Sequence, residues 1–298
     1  MNESLLAYVP MDRRHALARG ETLPERTEGS ALFADVSGFT PLTEALVREL
    51  GPQRGAEELT GFLNQVYDAL INELHRWGGS AIAFAGDAVT CWFDGDDGVY
   101  ATACAMGMQE AMGAFSAVET PKGTIIELSM KAAVAVGPAR RFLVGDPESR
   151  VIEALAGATL ERLAAAEHEA NRGDVVLAPC AHSTLRDRVS VREIRVADDG
   201  RRFCVIGGLT VDPQPPQLPE LAIENLREDE VCKWLLPAVY RRLDRGLGNF
   251  LAEIRTTVPV FMRFSGIDYD EEEDAAGRRR ARGPGGGGPF AAPDGPGL

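Results

Sequence analysis

The chain has 298 residues, with 45 acidic and 31 basic side chains and a formal net charge of −14. This negative charge argues against a protein that wraps DNA or RNA and against a polybasic membrane anchor, because both depend on attraction to phosphates. Hydrophobic residues make up 45% of the chain, which is enough for a sizeable core.

The N-terminal residues and the cysteines bear on the compartment. Residues 1–20 contain no continuous apolar run of the kind that marks a signal peptide, and no stretch is long and apolar enough to predict a transmembrane helix. Five widely spaced cysteines form no close pair typical of a zinc or redox motif. We therefore expect a cytoplasmic protein that makes no contact with membranes or nucleic acids.

In chain order, the pattern changes from an irregular start to a mixed helix and strand region. Residues 1–27 are polar and predict a loosely packed leader. Residues 30–36 form an apolar run that ends near an acid, typical of a buried strand. A short helix is expected over 42–49, and apolar residues at three- and four-residue spacing predict a longer helix from Leu59 to Leu74. Two apolar runs around Gly86 and Asp87 then predict a β-hairpin.

The following segments continue this mixed order. Helices are expected over 98–117, 152–170 and 180–187. Strands are expected over 125–136, 140–145, 174–178 and in a hairpin over 189–206. Because helices are mixed with hairpins and do not alternate strictly with single strands, the sequence predicts an α+β fold, a sheet with helices on one face.

Two aspartates are candidates for chemistry because of their positions. Asp35 comes near the end of a buried strand, and Asp87 lies at the tip of the hairpin. If the strands are neighbours, both carboxylates meet at one end of the sheet, and carboxylates together with backbone and phosphate oxygens are what Mg²⁺ prefers. By spacing alone, Asp35 could equally be a helix cap and Asp87 an ordinary turn residue. No ligand spacing links His75, His168 and His182, so no second metal site is expected there.

Two motifs resolve these alternatives by resemblance. The segment Phe33–Thr40 and the segment Phe84–Ala88, about fifty residues later, resemble the two metal motifs of class III adenylyl and guanylyl cyclases. The resemblance covers roughly residues 28–210, in particular to the first catalytic half of the soluble, bicarbonate-responsive type. It implies a ferredoxin-like core with an antiparallel sheet, working as a dimer of catalytic domains with sites at the interface.

The same resemblance implies the roles of the site residues. Asp35 and Asp87 would bind two Mg²⁺ or Mn²⁺ ions, and Val36 would provide a backbone carbonyl to one of them. The triphosphate of ATP or GTP would be lined by Ser37, Gly38, Phe39 and Thr40. The implied reaction is attack of the ribose 3′-hydroxyl on the α-phosphate, which forms cyclic AMP from ATP and releases pyrophosphate.

This sequence departs from the family pattern at residues that a partner domain supplies. Ala83 stands where the family has a base-reading lysine, which also makes a bicarbonate response doubtful. Leu160 and Ala164 stand where it has an asparagine and an arginine, and Arg162 is out of phase on the helix. We therefore expect activity to need a complementary second domain, in cis or in trans, or a homodimer. The alternative is a catalytically silent module that uses the cyclase fold for regulation, nucleotide binding or dimerisation.

The expected domain organisation has five parts. A leader over 1–27 is followed by the cyclase domain over 28–210 and by a proline-rich linker with helices over 211–255. Residues 256–276 resemble the opening of a second cyclase-like domain that is then truncated, with Arg263 in place of the metal aspartate. Residues 277–298 form an Arg/Gly/Pro-rich tail whose composition predicts disorder.

Overall fold

A computed structural model describes residues 3–246, together with Val258, Tyr269 and Asp270. Apart from those last three residues, the predicted opening of a second domain over 256–276 and the predicted tail over 277–298 lie outside the described residues. Within the described part, no helix is both long enough and apolar enough to cross a membrane.

A large sheet forms the centre of the described chain. Its eight strands follow the order β2-β3-β1-β6-β8-β10-β9, with β7 paired to a further part of β6, while β4 and β5 pair separately. Neighbouring strands are antiparallel except for β6 and β8, which are parallel. The strands are β1 (Arg26–Ser37), β2 (Ser80–Ala85), β3 (Ala88–Asp94), β4 (Val118–Glu119), β5 (Ile125–Ile126), β6 (Ser129–Asp146), β7 (Arg150–Ala156), β8 (Val175–Leu177), β9 (Val189–Val196) and β10 (Arg202–Leu209).

Helices and short 3-10 turns surround this sheet. The α-helices are α1 (Met11–Arg19), α2 (Phe39–Leu50), α3 (Pro52–Arg76), α4 (Val99–Met112), α5 (Ala158–His168), α6 (Pro179–Leu185), α7 (Glu228–Val231) and α8 (Pro237–Asp244). The 3-10 turns are Glu3–Tyr8, Gly113–Phe115, Ile223–Asn225 and Cys232–Trp234. The predicted α+β class is confirmed, and the predicted linker over 212–219 has no regular secondary structure.

The helices lie on both faces of the sheet, so the expectation of helices on one face is wrong. Side chains alternate along a strand, and Leu32 of β1 packs in a core formed with α2, α3 and α4. Its neighbour Ala31 packs in a second core with Trp92 and with Leu163 of α5. A strand buried on both sides reads as a continuous apolar run, which explains why alternation was not visible in its sequence.

Two segments of the predicted secondary structure are corrected. Residues 125–136 and 140–145 were expected as two strands, but β6 runs through Gly137 and Pro138 without a break. Proline is tolerated there because β8 pairs with residues 132–134 and β7 with 140–146, so the outer edge at Pro138 needs no ladder donor. The expected helix over 152–170 begins only at Ala158, since its first residues form β7.

The N-terminal segment is ordered and packed, contrary to the prediction of a loose leader. In this segment, Leu5, Leu6 and Val9 are buried in one core with Trp234 and Leu235, which follow the proline-rich linker. These contacts are distant in sequence, which is why local composition did not reveal them. The leader and the segment after the linker thus form a small core of their own.

A buried ion network attaches α1 to the sheet. The Glu153 carboxylate, which has no solvent exposure, contacts the guanidinium of Arg13 at 3.2 Å and that of Arg141 at 2.5 Å. Arg141 also reaches Asp12 at 2.6 Å. Because a buried charge is tolerated only when it is paired, the network fixes α1 at one place on β6 and β7.

Candidate active site

The sheet brings the two predicted aspartates to the same end. Asp35 is directly opposite Ala88 in the pairing of β1 with β3, so Asp87 is the next residue toward the hairpin tip. The Val36 amide donates a hydrogen bond to the Asp87 carbonyl at 3.1 Å. Gly86 adopts a φ of 65°, a left-handed conformation that suits glycine and lets the hairpin turn. The predicted neighbourhood of the two carboxylates is confirmed.

The charges and burial of this pair favour a bound cation. Asp35 is half-buried, and burial raises the pKa of its carboxyl above the ordinary value, with the charge of nearby Asp87 adding to that rise. Lys131 acts in the opposite direction but does not cancel the rise. A carboxylate that is desolvated and faces a like charge is stabilised by a bound cation.

Lys131 is a site residue that the sequence prediction missed. It is directly opposite Asp35 in the pairing of β1 with β6, and its ammonium is 3.5 Å from the Asp35 carboxylate. The ammonium also contacts Glu167 of α5 at 2.5 Å. The signal that could have revealed it is one lysine in an otherwise apolar strand segment, where a charge is costly without a partner.

The four residues expected to line a triphosphate lie where β1 ends and α2 begins, with Gly38 between the two elements. Gly38 has a φ of 110°, and a Cβ at this position would lie 2.5 Å from the Glu127 carbonyl, so only glycine fits. Phe39 begins α2 and is buried, whereas Thr40 is exposed and Ser37 is half-buried. Phe39 can therefore offer a ligand its backbone amide, while its side chain belongs to the core.

The donor set fits a hard divalent cation. Asp35 and Asp87 offer carboxylate oxygens, and Val36, the residue after Asp35, offers a backbone carbonyl. Among the described residues, no group of three or more His, Cys, Asp or Glu side chains is arranged to hold a metal ion. The remaining oxygens around a cation would have to come from water or from a ligand's phosphates, as is usual for Mg²⁺.

The positions expected to serve a partner domain carry no polar group suited to that role. Ala83 and Ala164 are exposed, and Leu160 packs against the second core. Arg162 reaches back to β6, where a Cβ at Gly137 would lie 3.1 Å from its guanidinium nitrogen. Arg162 thus points in a different direction from Ala164, as its position on the helix predicted.

Sequence comparison finds relatives that are much longer than this chain. No protein-family model matches it. Mouse adenylate cyclase type 10 is 28% identical over 286 residues, which covers 85% of this chain and 18% of that protein. The human adenylate cyclase type 10 is 27% identical over 289 residues, again 18% of its length. The chain thus spans less than a fifth of these curated relatives.

Solved structures share the arrangement of strands and helices. The guanylyl cyclase Cya2 matches with a TM-score of 0.50 and 22% identity, covering 62% of this chain and 93% of that one. The fold is that of a class III nucleotide cyclase domain. A bacterial light-regulated adenylyl cyclase also matches this cyclase fold, with a TM-score of 0.52 and 12% identity, over 78% of this chain and 64% of that one. At such identities the structures establish the fold, and the chemistry must be argued from the site.

Proposed function

We propose that this cyclase-fold domain provides the metal-binding half of an active site that converts ATP to cyclic AMP and pyrophosphate. The observation that carries the proposal is the position of Asp35 and Asp87 at the same end of the sheet, with Asp35 shortly before Gly38 and the N-terminus of α2. The curated relatives named above are adenylate cyclases, which supports ATP over GTP as the substrate.

Within this half, the proposed roles follow from position. Asp35 and Asp87, with the Val36 carbonyl, would hold two Mg²⁺ or Mn²⁺ ions. When bound, such ions polarise the phosphoryl group and favour ionisation of the attacking hydroxyl. The amides that begin α2 and the neighbouring Ser37 and Thr40 would orient the phosphates, because helix N-termini favour anions.

Lys131 has a proposed role that the sequence did not suggest. Its ammonium lies between the Asp35 and Glu167 carboxylates. Burial lowers the pKa of Lys131, but Glu167 and Asp35 together raise it above the ordinary value, so the ammonium stays protonated. A positive group beside the residues proposed to orient the phosphates would attract a triphosphate and partly compete with a cation for Asp35. We therefore assign Lys131 to phosphate binding, with Glu167 holding its side chain in place.

The proposal includes a complementary second domain, because three positions in the described part of the chain carry no polar side chain where the family has one. Ala83, Leu160 and Ala164 cannot hydrogen-bond to a base or stabilise the charge of a transition state through their side chains. A second cyclase domain, in cis or in trans, would supply those groups. Five free cysteines in the described chain support a reducing, cytoplasmic setting for the reaction.

A catalytically silent binding module is the second candidate, and the same three apolar positions favour it. Both candidates predict metal-dependent nucleotide binding, but only the first predicts turnover after a second domain is supplied. The difference therefore appears in activity and not in binding.

The test measures binding and turnover separately. Calorimetry would follow Mn²⁺ and 3′-deoxy-ATP, which lacks the attacking hydroxyl, binding to the purified chain. Turnover of ATP and GTP would be measured over a wide protein concentration range, alone and with an added second cyclase domain. Asp87→Ala should abolish metal binding, whereas Asp199→Ala, an exposed carboxylate in the turn between β9 and β10, should leave it unchanged.

Each result decides between the candidates. Turnover that appears on adding the second domain and disappears in Asp87→Ala supports the enzyme half. Metal-dependent binding without turnover in any combination favours the silent module. Absence of metal binding by the wild-type chain contradicts both.

A further inference from the structure

Tyr67 of α3 lies between the two segments that carry the aspartates. Its ring stacks on the ring of Phe39, four residues after Asp35, with a centroid separation of 6.3 Å. It also makes an edge-to-face contact with the ring of Phe84, three residues before Asp87, at a centroid separation of 5.6 Å. One aromatic ring therefore bridges the loop after β1 and the hairpin of β2 and β3.

The hydroxyl of Tyr67 is buried and has no hydrogen-bond partner in the described part of the chain. Both ring contacts need only the aromatic ring, so a phenylalanine would satisfy the packing equally well. Buried hydroxyls in native proteins are nearly always paired, since an unpaired one loses its hydrogen bonds to water without replacement. An oxygen of a bound ligand that reached the hydroxyl would satisfy it.

The surroundings determine which role the hydroxyl can take. Burial raises the pKa of Tyr67 to about 12, and the negative charges of Asp87 and then Asp35 add to the effect. The group is therefore a protonated donor at neutral pH, close enough to both carboxylates to feel their charge. An oxygen that enters the site with a ligand would be a suitable acceptor for this donor.

We propose that Tyr67 is a positioning residue whose hydroxyl donates a hydrogen bond to an oxygen that enters with the cation or with the nucleotide phosphates. The inference rests on the proposed function, because it needs a cation at Asp35 and Asp87. It adds a polar group from α3, which neither of the two metal motifs contains. The ring contacts with Phe39 and Phe84 keep the donor at a fixed place relative to both motifs.

The test compares Tyr67→Phe with Tyr100→Phe. Tyr100 is a half-buried tyrosine on α4 that packs against Trp77, so its substitution controls for the general loss of a phenol. Urea unfolding in chelator should show Tyr67→Phe at least as stable as the wild type, because the variant removes an unpaired buried hydroxyl. A merely structural role for the hydroxyl predicts a loss of stability instead.

Calorimetry then measures Mn²⁺ alone and 3′-deoxy-ATP in the presence of Mn²⁺. Weaker binding of Mn²⁺ alone by about tenfold, or about 1.4 kcal/mol, would assign the bond to an oxygen that enters with the cation. Unchanged Mn²⁺ binding with about tenfold weaker nucleotide binding would assign it to a phosphate oxygen. Tyr100→Phe should match the wild type in both titrations.

Two results would overturn the inference, and they are distinguishable. If the wild type binds both ligands and Tyr67→Phe binds them equally well, the hydroxyl has no such partner and the proposed function stands. If the wild type binds no Mn²⁺ at all, the proposed function fails and takes this inference with it.

Discussion

The clearest test of the aspartate pair is that Asp35→Asn should stabilise the chain without a cation and destabilise it relative to wild type with one. The amide has nearly the same shape, and its oxygen can still accept a hydrogen bond from Lys131, which is 3.5 Å from Asp35. What changes is the charge. Burial and Asp87 make the ionised form unfavourable in the folded state, which is why the pKa of Asp35 is raised.

The sign follows from proton linkage. With a raised pKa, Asp35 binds more protons in the folded than in the unfolded state, so its contribution to stability falls as pH rises from the ordinary Asp value of about 4 through the raised pKa. At pH 7, Asp35→Asn removes this penalty, and a gain of about 0.5–2 kcal/mol is typical of relieving an unfavourable charge. The advantage of the variant should shrink as pH is lowered toward 4.

A saturating cation should reverse the order. At a hundred times its dissociation constant, a ligand that binds only the folded state adds about 2.7 kcal/mol to stability. The wild type should gain this amount, and Asp35→Asn should gain little because one of the two carboxylates is lost. In urea unfolding, Asp35→Asn should therefore be the more stable protein in chelator, and the wild type should be the more stable protein with Mn²⁺.

The control is Glu21→Gln, the same chemical change at an exposed pair with Arg19, where an effect within about 0.5 kcal/mol is expected. The reasoning is refuted if Asp35→Asn is less stable than the wild type in chelator at pH 7. It is equally refuted if Mn²⁺ stabilises both proteins by the same amount.

Three further substitutions probe the site and the fold. Lys131→Met should strengthen binding of Mn²⁺ alone and weaken binding of the Mn²⁺–nucleotide complex in calorimetry. The reason is that the ammonium repels the Mn²⁺ ion and attracts the negatively charged complex. A change of both affinities in the same direction would contradict the assignment of Lys131 to phosphate binding. Glu153→Gln should cost about 3–5 kcal/mol in urea unfolding, since it leaves two buried guanidinium groups short of a counter-charge, and a cost below 1 kcal/mol would show that the network is dispensable. Gly38→Ala should cost about 1–3 kcal/mol because the Cβ meets the Glu127 carbonyl at a positive φ, whereas Gly20→Ala, at a φ of 68° with open space, should cost less; equal costs would place the whole effect in the backbone conformation.

Local patterns predicted the aspartate pair because both motifs are short and self-contained. The apolar runs on either side of Gly86 and Asp87 form a hairpin by themselves, and a neighbouring strand was enough to bring Asp35 alongside. The predicted helix from Leu59 to Leu74 also appeared, since its apolar stripe has helical spacing. These features depend on interactions within a few residues or on one strand pairing.

The rest of the site depends on long-range register. Lys131 meets Asp35 across 96 residues only because β1 and β6 pair along their length. Tyr67 lies within the helix predicted from Leu59 to Leu74, and nothing in its apolar spacing showed that the Tyr67 hydroxyl would be buried near two carboxylates. The ordered N-terminal segment was missed for the same reason, because Leu5 packs against residues beyond the linker.

The charges around Asp35 suggest how the two halves of a site would divide their work. The carboxylates of Asp35, Asp87 and Glu167, with the ammonium of Lys131, give a formal charge of −2 when all are ionised. One divalent cation neutralises this group, but a triphosphate then adds several negative charges that this half cannot balance. A second cation and positive groups from a partner would supply the balance, since Ala83 and Ala164 carry no charge. Binding of metal should therefore be a property of this chain alone, while turnover of the nucleotide should require the partner.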